Sequence, residues 1–596
     1  MLTLRPFALP LRIRPNLRPT VVSTFKTLQL RALSILGTAA SRCNRVDTGP
    51  VDYEVLKVTS RRWLYNNDIQ MALRRLEFDV EALGRVAAAA GGASECTKIE
   101  FLAEGSCNRV FSLGLSNGKN VIARIPFPNA GPRSILTRSE VATMDFVRSR
   151  FGGAPIPKVL AWDSTTTNNV GCEYIIMERC GGTALKDKLG SDLEFYRHIA
   201  DIAELMSGLA CIRFSQYGSI YYKEDVDSEL RARPLYADGE EQDELSERFR
   251  IGPSVQRRFY RGERARMSID RGPWKDLTSY LEAAVNCELE WLRLYSNSPQ
   301  AQKQPGAWNT PEEHAAMLRK WLHLAPAVLP STEYYAPTLA HPDLHAGNIL
   351  VTGDDPLSVS GFLDWQGAAV RPLFETEAPN IFIDDDGASD LKYITISDDG
   401  LYKPVLLENY SELTVEEKEE ARAEFRRFWA RHALHKFVLD MHAPLLVVLT
   451  VWHMELLKRA VYCSSRSWSE GLPLLERTMM SLSAEYGDSI PVVDNYPVCP
   501  VVFSEEDQKR HNKEYTKVIY AEQRLEATLT KAMKEAGIAL GEDGSVHPDQ
   551  FGAAVKKNEE VFAAIMASTG EVAQARIKPR WPVREGKFVY TMESCV

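Results

Sequence analysis

No acidic residue occurs before Asp47, no two of the ten cysteines form a C-x-x-C pair, and no stretch reaches the roughly 18 apolar residues of a membrane-spanning helix. Each absence excludes something. Cys43, Cys96, Cys107, Cys172, Cys180, Cys211, Cys287, Cys463, Cys499 and Cys595 are scattered, which argues against a zinc ribbon and a disulfide scaffold and suggests reduced thiols. The nearest approach to a span, residues 441–454 (MHAPLLVVLTVWHM), is uncharged but short, carries two His and a Pro, and reads as a buried core helix. Positive charge is not in excess either: 71 Lys+Arg against 80 Asp+Glu give a net charge of −9, so no global basic field is available to hold nucleic acid. No repeat period is visible. With 44% hydrophobic and 25% charged residues the chain is an ordinary globular one, and at 596 residues it exceeds one compact core.

What stands at the start is different material. Arg5, Arg12, Arg14, Arg18, Lys26, Arg31, Arg42 and Arg45 lie among Leu, Ser and Thr, the composition of a mitochondrial presequence. Residues 1–45 are therefore expected to be a targeting leader, and removing its eight cations would take the net charge from −9 to −17. The Arg-interrupted apolar residues of 1–30 do not make the unbroken core of a secretory signal.

Residues 46–94 read as a helical lead-in ending at Gly91-Gly92. From Lys98 the apolar period becomes two. Strand, a Gly105-Ser106-Cys107-Asn108 loop, strand, an Asn117-Gly118 turn and strand predict an antiparallel sheet, followed by a helix over 138–150 and strands at 159–162 and 173–178. Gly181-Gly182 closes that half at a short hinge over 178–182. Beyond it the chain is mostly helical, with capping boxes at Thr310-x-x-Glu313 and Thr414-x-x-Glu417 and a weaker acidic one at Ser504-x-x-Asp507. The expected class is α+β: a small antiparallel β-rich lobe over 95–180, a large mostly α-helical lobe over 181–500, and a helical extension over 501–596.

The chemistry is concentrated in His341-Pro342-Asp343-Leu344-His345-Ala346-Gly347-Asn348-Ile349-Leu350-Val351, followed by Ser360-Gly361-Phe362-Leu363-Asp364-Trp365. This is H-x-D-x-x-x-x-N, an apolar strand, a turn, a second strand and an Asp. Phosphoryl transfer needs those types together: one carboxylate to accept or orient a hydroxyl proton, and an Asn with a second Asp to hold Mg²⁺ on nucleotide phosphates. A β-hairpin over 349–363 would bring Asn348 and Asp364 side by side.

HPDLHAGNILV with SGFLDWQ resembles the aminoglycoside phosphotransferase superfamily, whose small-molecule kinases share the protein-kinase fold. The DWQ variant, Pro372-Leu373-Phe374, the insert at 252–274 and the leader resemble the fungal family of altered inheritance of mitochondria protein 9. The resemblance covers about residues 95–480. It implies a protein-kinase-like two-lobed fold, ATP and Mg²⁺ as cofactors, a catalytic loop at 341–351, Asp343 as catalytic base, His341 as its support, and Asn348 and Asp364 as metal ligands. His345 fits the motif without an assigned chemical role and reads as structural. The resemblance also puts Gly105 and Ser106 in a nucleotide-covering loop that lacks a full G-x-G-x-x-G, Arg124 where a phosphate-binding Lys stands, Glu140 as its partner, and Glu178 and Cys180 at the adenine hinge. Arg is a planar bidentate phosphate ligand where Lys is a compact point charge, so the exchange permits nucleotide binding and leaves transfer less assured.

Two charged runs remain. Arg257, Arg258, Arg261, Arg264 and Arg266, with Phe259 and Tyr260 interleaved, could grip phosphate or RNA, but a solvated helix face or a lobe-packing segment fits the acidic whole better. Asp384, Asp385, Asp386, Asp390, Asp398 and Asp399 could attract a cationic acceptor or form a polar surface loop. The expected function is a mitochondrial ATP- and Mg²⁺-dependent phosphotransferase acting on a hydroxyl of a small molecule, with no nucleic-acid partner. A non-enzymatic nucleotide-binding pseudo-kinase scaffold is the alternative.

Overall fold

The computed structural model describes residues 60–581 apart from 153, 189–194, 305–308, 353–357, 382–390, 398–402, 489, 491–494, 542, 572–573, 575–576 and 579–580. The leader expected at 1–45 and the six aspartates between 384 and 399 lie outside the described residues.

The described chain opens on a two-residue strand, β1 (Arg62–Trp63), and two helices, α1 (Asn67–Leu73) and α2 (Val80–Gly91). The strand is unexpected in a helical lead-in, and its partner is distant: β1 pairs antiparallel with Ser545–Val546, so the two ends of the described chain meet. Trp63 and Tyr65 from one end and Leu529, Met533, Val546 and Trp581 from the other form a separate small core. Two residues carry no readable period, and that is why the sequence did not announce them.

Asp79 caps α2 by accepting from the Ala82 N–H at 2.8 Å. The expected strands come next as β2 (Cys96–Glu104), β3 (Asn108–Leu115), β4 (Asn120–Pro126), β5 (Val159–Asp163) and β6 (Tyr174–Glu178), with α3 (Ile135–Arg150) between β4 and β5. They make one antiparallel sheet in the order β2-β3-β4-β6-β5. Successive side chains on a strand point to opposite faces, and β6 shows the consequence. Ile176 packs with Phe111, Leu113, Ile125 and the α2 residues Leu83 and Ala87. Its neighbours Ile175 and Met177 join Val141, Phe146 and Val147 of α3 in the main core that continues through the helical part. The sheet is therefore buried on both faces.

After β6 the chain crosses into the helical part through β7 (Thr183–Ala184), which pairs with the later hairpin. Gly182 sits at φ 100° with its α-carbon so close to Val351 that a Cβ would come within 2.2 Å of the Val351 carbonyl oxygen, so only glycine fits this crossing. The helical part contains α4 (Phe195–Ala210), the ribbon β8 (Ser219–Tyr222) with β9 (Phe249–Gly252), α5 (Leu277–Tyr295) and α6 (Pro311–Val328). Next come β10 (Pro337–Ala340), β11 (Ile349–Thr352), β12 (Ser358–Phe362) and β13 (Ala369–Pro372). It ends with α7 (Val415–Met441), α8 (Ala443–Thr450), α9 (Trp452–Ser464), α10 (Leu472–Ala484), α11 (Glu505–Glu535) and α12 (Phe551–Ser568). The capping boxes at Thr310, Thr414 and Ser504 all form, opening α6, α7 and α11. No helix among the described residues is long and apolar enough to cross a membrane.

Residues 441–454 are not one buried helix. They span the end of α7, all of α8 and the start of α9, and Met441 and Trp452 are 44% and 39% exposed. Pro444 cannot continue a helix from the preceding turn, and His442 breaks it by turning its Nδ1 to accept from the Leu445 N–H at 3.0 Å.

Two members of the arginine run are spent inside the protein, while Arg257 and Arg266 are exposed. Arg258 pairs with Glu375 at 2.8 Å, and Arg264 pairs with the fully buried Glu288. Arg271 donates to the carbonyls of Arg264 and Met267. This is the lobe-packing alternative, and two of the cations offered for RNA are already used.

Trp63 anchors the unit made by the chain ends: it is 1% exposed and donates from Nε1 to Asp543 at 3.0 Å. Trp63→Ala should destabilise that unit by ~3–5 kcal/mol. Limited proteolysis should then cut within 536–550 while the remaining chain resists, and unchanged protection of that segment would show that something else holds the ends together.

Candidate active site

β10 delivers the chain to His341, and β11 and β12 pair antiparallel with Ile349 opposite Phe362. Between β10 and β11 the loop over 341–348 folds back on itself. His341 Nδ1 accepts from the Asp343 N–H at 3.2 Å and its Nε2 faces the Leu363 carbonyl at 2.9 Å, which fixes the neutral tautomer with the proton on Nε2. Its ring meets Trp365 edge-on at 4.6 Å. Burial lowers the His341 pKa to about 4, against the smaller pull of the Leu363 carbonyl and Asp364. His341 thus ties the loop to the strand that carries Asp364, and its contacts are structural.

Asp343 is held by its backbone: its N–H bonds to His341, and its carbonyl accepts from Asn348 Nδ2 at 2.9 Å. The carboxylate remains 40% exposed. Burial raises its pKa, nearby Asp364 adds to the rise, and His345 opposes it. The Leu363 N–H bonds to the Asn348 carbonyl at 2.8 Å, so the residue before Asp364 and the one that carries the Asn348 amide are directly paired. The hairpin brings Asn348 and Asp364 to the same edge. Asp364 has φ 65°, a left-handed backbone that non-glycine residues adopt at a cost of about 1 kcal/mol or more.

Arg124 projects from β4, the middle strand of the five. One end of its guanidinium donates to Glu140 of α3 and the other to Asp364 Oδ1. Arg124, Glu140 and Asp364 are therefore brought together. Gly105 and Ser106 lie in the β2–β3 turn, where the Gly105 N–H bonds to the Asn108 carbonyl at 2.9 Å. A Cβ on Gly105 would meet nothing nearer than that carbonyl at 3.8 Å, so glycine there keeps the turn low without relieving a clash inside the protein. Glu178 ends β6 with its side chain in solvent. Cys180 lies beyond it, half-buried, with its thiol pushed up by burial and its Sγ against Gly361 of β12. Both stand on the crossing between the sheet and the hairpin, and neither side chain bonds to Arg124 or Asp343.

Two features escaped sequence reasoning. Beneath the turn, Glu104 and Arg109 form an ion pair at 2.8 Å with each side chain 1% exposed. Asn108 and Gln366 exchange two amide hydrogen bonds, at 2.9 and 3.1 Å, joining the turn to the residue after Trp365. The DWQ triplet contained the second signal, but 258 positions separate its partner.

The set of groups is compatible with a cation. With its amide nitrogen bound to the Asp343 carbonyl, Asn348 has its side-chain oxygen left to offer, and Asp364 has one carboxylate oxygen beyond the one that Arg124 holds. Oxygen donors of this kind suit Mg²⁺. Among the described residues no cluster of three His, Cys, Asp or Glu side chains could hold a metal by itself, so phosphate oxygens would have to complete its shell.

Comparison with known proteins agrees with the geometry. The profile of the phosphotransferase enzyme family matches residues 273–375, which include His341, Asp343, Asn348 and Asp364. A subtelomeric hrmA-associated cluster protein of Aspergillus fumigatus is 30% identical over 533 residues, 82% of this chain and 97% of that protein. The mitochondrial altered inheritance of mitochondria protein 9 of Yarrowia lipolytica is 27% identical over 412 residues, 65% of this chain and 69% of that one. Among solved structures, a macrolide 2′-phosphotransferase of Brachybacterium faecium matches at 14% identity over 65% of this chain and 98% of its own, with a TM-score of 0.24, too loose a match to argue from.

The burial of His341 has a measurable consequence. Above pH 6.5 the imidazole is neutral whether the chain is folded or not. As pH falls from 6.5 towards 4, the unfolded chain takes up a proton that the folded chain refuses, and stability is lost by up to ~3 kcal/mol. Urea midpoints at pH 7 and pH 4.5 should therefore differ less in His341→Gln than in the unsubstituted protein, and an equal difference would contradict this sign.

Proposed function

The chain belongs to the phosphotransferase enzyme family, and from that premise we propose that it transfers the γ-phosphoryl group of ATP, with Mg²⁺, to a hydroxyl of a small molecule in mitochondria. The observation that carries the reading is the convergence of Asp343, Asn348 and Asp364 on one loop and one hairpin, opposite Arg124.

In this reading residues 95–180 and 181–500 are the two lobes of a protein-kinase-like fold, and the nucleotide lies between them. Gly105 and Ser106 cover the phosphates, and the backbone near Glu178 and Cys180 faces the base. Arg124 turns its guanidinium to phosphate oxygens while Glu140 keeps it in place. Asn348 and Asp364 would hold Mg²⁺, which would supply neutralisation of the phosphate charge. Asp343 accepts the proton of the attacking hydroxyl as its oxygen bonds to the γ-phosphorus, the bond from that phosphorus to the bridging oxygen breaks and ADP leaves. His341 keeps the loop in register with Asp364. The leader composition of 1–45 and the mitochondrial names of relatives support the location.

One observation favours the scaffold alternative: Arg124 stands where Lys is usual and is held by two carboxylates at once. An intact Asp343 beside Asn348 and Asp364 favours catalysis, because a scaffold needs no proton acceptor there.

Three outcomes separate the readings. Asp364→Ala should abolish or strongly weaken MgATP binding in calorimetry, and equal affinity in both proteins would remove Asp364 from the metal site. Asp343→Asn should bind MgATP as before and lose about 10²–10⁴ in ATP consumption across a panel of small-molecule hydroxyl acceptors. Full complementation of a null strain by Asp343→Asn, with failure of Arg124→Ala, would establish binding without transfer. A reporter fused to residues 1–45 should enter mitochondria; a diffuse cytosolic signal would withdraw the location.

A further inference from the structure

His345 is the one member of the loop that the roles above leave unused, and its surroundings are specific. Its Nδ1 accepts from the Gly347 N–H at 2.9 Å, so in the neutral ring the proton sits on Nε2. That Nε2 is buried, finds no hydrogen-bond partner among the described residues, and lies 3.7 Å from Asp343 Oδ2. The ring is only 17% exposed. An N–H without a partner in such a place costs free energy, so an orientation that aims it at a carboxylate calls for an explanation.

The backbone holds that orientation from both sides. The His345 ring lies so close over Gly347 that a Cβ there would come within 2.7 Å of Cε1, so any side chain at 347 would displace the ring. On the other side, residue 380 runs beside the loop: the Asn380 N–H bonds to the Leu344 carbonyl at 2.9 Å and its carbonyl accepts from Ala346. The Asn348 N–H bonds to the His345 carbonyl at 2.9 Å. The Lys186 N–H bonds to the Ala346 carbonyl, which ties the residue after His345 to the crossing at β7. The Nε2–H is thus aimed at Asp343, too far for a hydrogen bond at 3.7 Å and within reach of one after a sub-ångström closure of the loop.

We propose that His345 is the positioning residue of Asp343: its Nε2–H engages Oδ2 when the loop closes on substrate, leaving Oδ1 aimed at the acceptor hydroxyl. The proposal rests on the phosphotransferase reading. A freely rotating carboxylate presents either oxygen over a wide arc, whereas one oxygen held by a neutral donor leaves the other with a single direction of approach. Misplacement of a reacting group by about 1 Å can cost on the order of 10² in rate, so one such contact is worth testing.

The decisive readout is independent of turnover. In the full chain labelled with ¹⁵N-histidine, the His345 signals are assigned by their loss in His345→Gln. The expected spectrum has the proton on Nε2, and Asp343→Asn, nearly isosteric, moves that resonance. A proton on Nδ1, or an Nε2 resonance indifferent to Asp343→Asn, would overturn the proposal. Steady-state ADP release from MgATP, with water as acceptor, gives the second arm. Asn at 345 can still accept from the Gly347 N–H but is too short to reach Asp343, so His345→Asn should lower kcat by about 10- to 100-fold with KM for ATP unchanged. Gln places an N–H near the position of Nε2, so His345→Gln should lose about tenfold less. Equal losses in the two variants, or a change confined to KM, would mean a purely structural role. A wild-type chain that binds no MgATP would sink the phosphotransferase reading instead, a result distinct from the resonance shift, which decides the Asp343 contact by itself.

Discussion

One guanidinium ties the five-stranded sheet to α3 and to the residue that follows the β11–β12 hairpin. Arg124 reaches from the middle strand of the sheet to Glu140 on α3 with one end of its fork and to Asp364 beyond the hairpin with the other. Glu140 is 2% exposed, so a charge is kept there only because a cation faces it. Breaking a buried pair by removing one partner typically costs about 3–5 kcal/mol, because the charge left behind is stranded. Here removal of Arg124 strands the buried Glu140 carboxylate, while the Asp364 carboxylate, 38% exposed, still meets solvent. A lysine would serve less well as such a bridge, since its ammonium is a point charge, whereas the planar fork of arginine presents separate N–H groups in fixed directions. The substitution that looks like a departure from the family pattern is, in the folded chain, what spans the gap.

The same bridge explains why Asp364 tolerates its backbone. A left-handed φ of 65° at a non-glycine residue persists only where neighbours over-determine it. The neighbours are identifiable: the Leu363 N–H is bound to the Asn348 carbonyl, the Leu363 carbonyl faces His341, and Trp365, fully buried, carries the His341 ring against its edge. Arg124 then takes the carboxylate. Each of these contacts acts on Asp364 or an immediate neighbour, so the aim of Asp364 is set by the hairpin and the loop jointly, and the loop is set by the hairpin in turn.

Local periodicity made the sheet, its Asn117-Gly118 turn, α2, α3 and the three capping boxes legible, because each is written in a contiguous run of residues. The hairpin was legible for the same reason, and with it the approach of Asn348 to Asp364. What the sequence concealed depends on tertiary surroundings. Glu104 and Arg109 are only 5 residues apart, yet nothing in that spacing distinguishes a surface pair from one whose side chains are both 1% exposed. The Asn108–Gln366 exchange and the β1 pairing with residues 545–546 have no local signature at all. The arginine run could not be apportioned between solvent and core until Glu375 and Glu288 were seen to receive Arg258 and Arg264. In residues 441–454 the apolar content conceals the break at His442-Ala443-Pro444, where Pro444 cannot continue the preceding helix.

In the proposed function the turn over 105–108 covers a nucleotide without a full complement of glycines. A glycine-rich loop is adaptable because its backbone is free, and it must lose that freedom when a ligand is bound. This turn has lost it already. Below it stands the Glu104–Arg109 pair, with Arg109 over the Phe127 ring at 5.5 Å. Beside it, Asn108 is tied to Gln366. Arg74 lies close enough for its charge to feel Cys107 and Glu104 as well as Asp543, and it is itself stacked on Trp63 at 4.1 Å. A loop ordered in advance spends less conformational entropy on binding, which favours affinity.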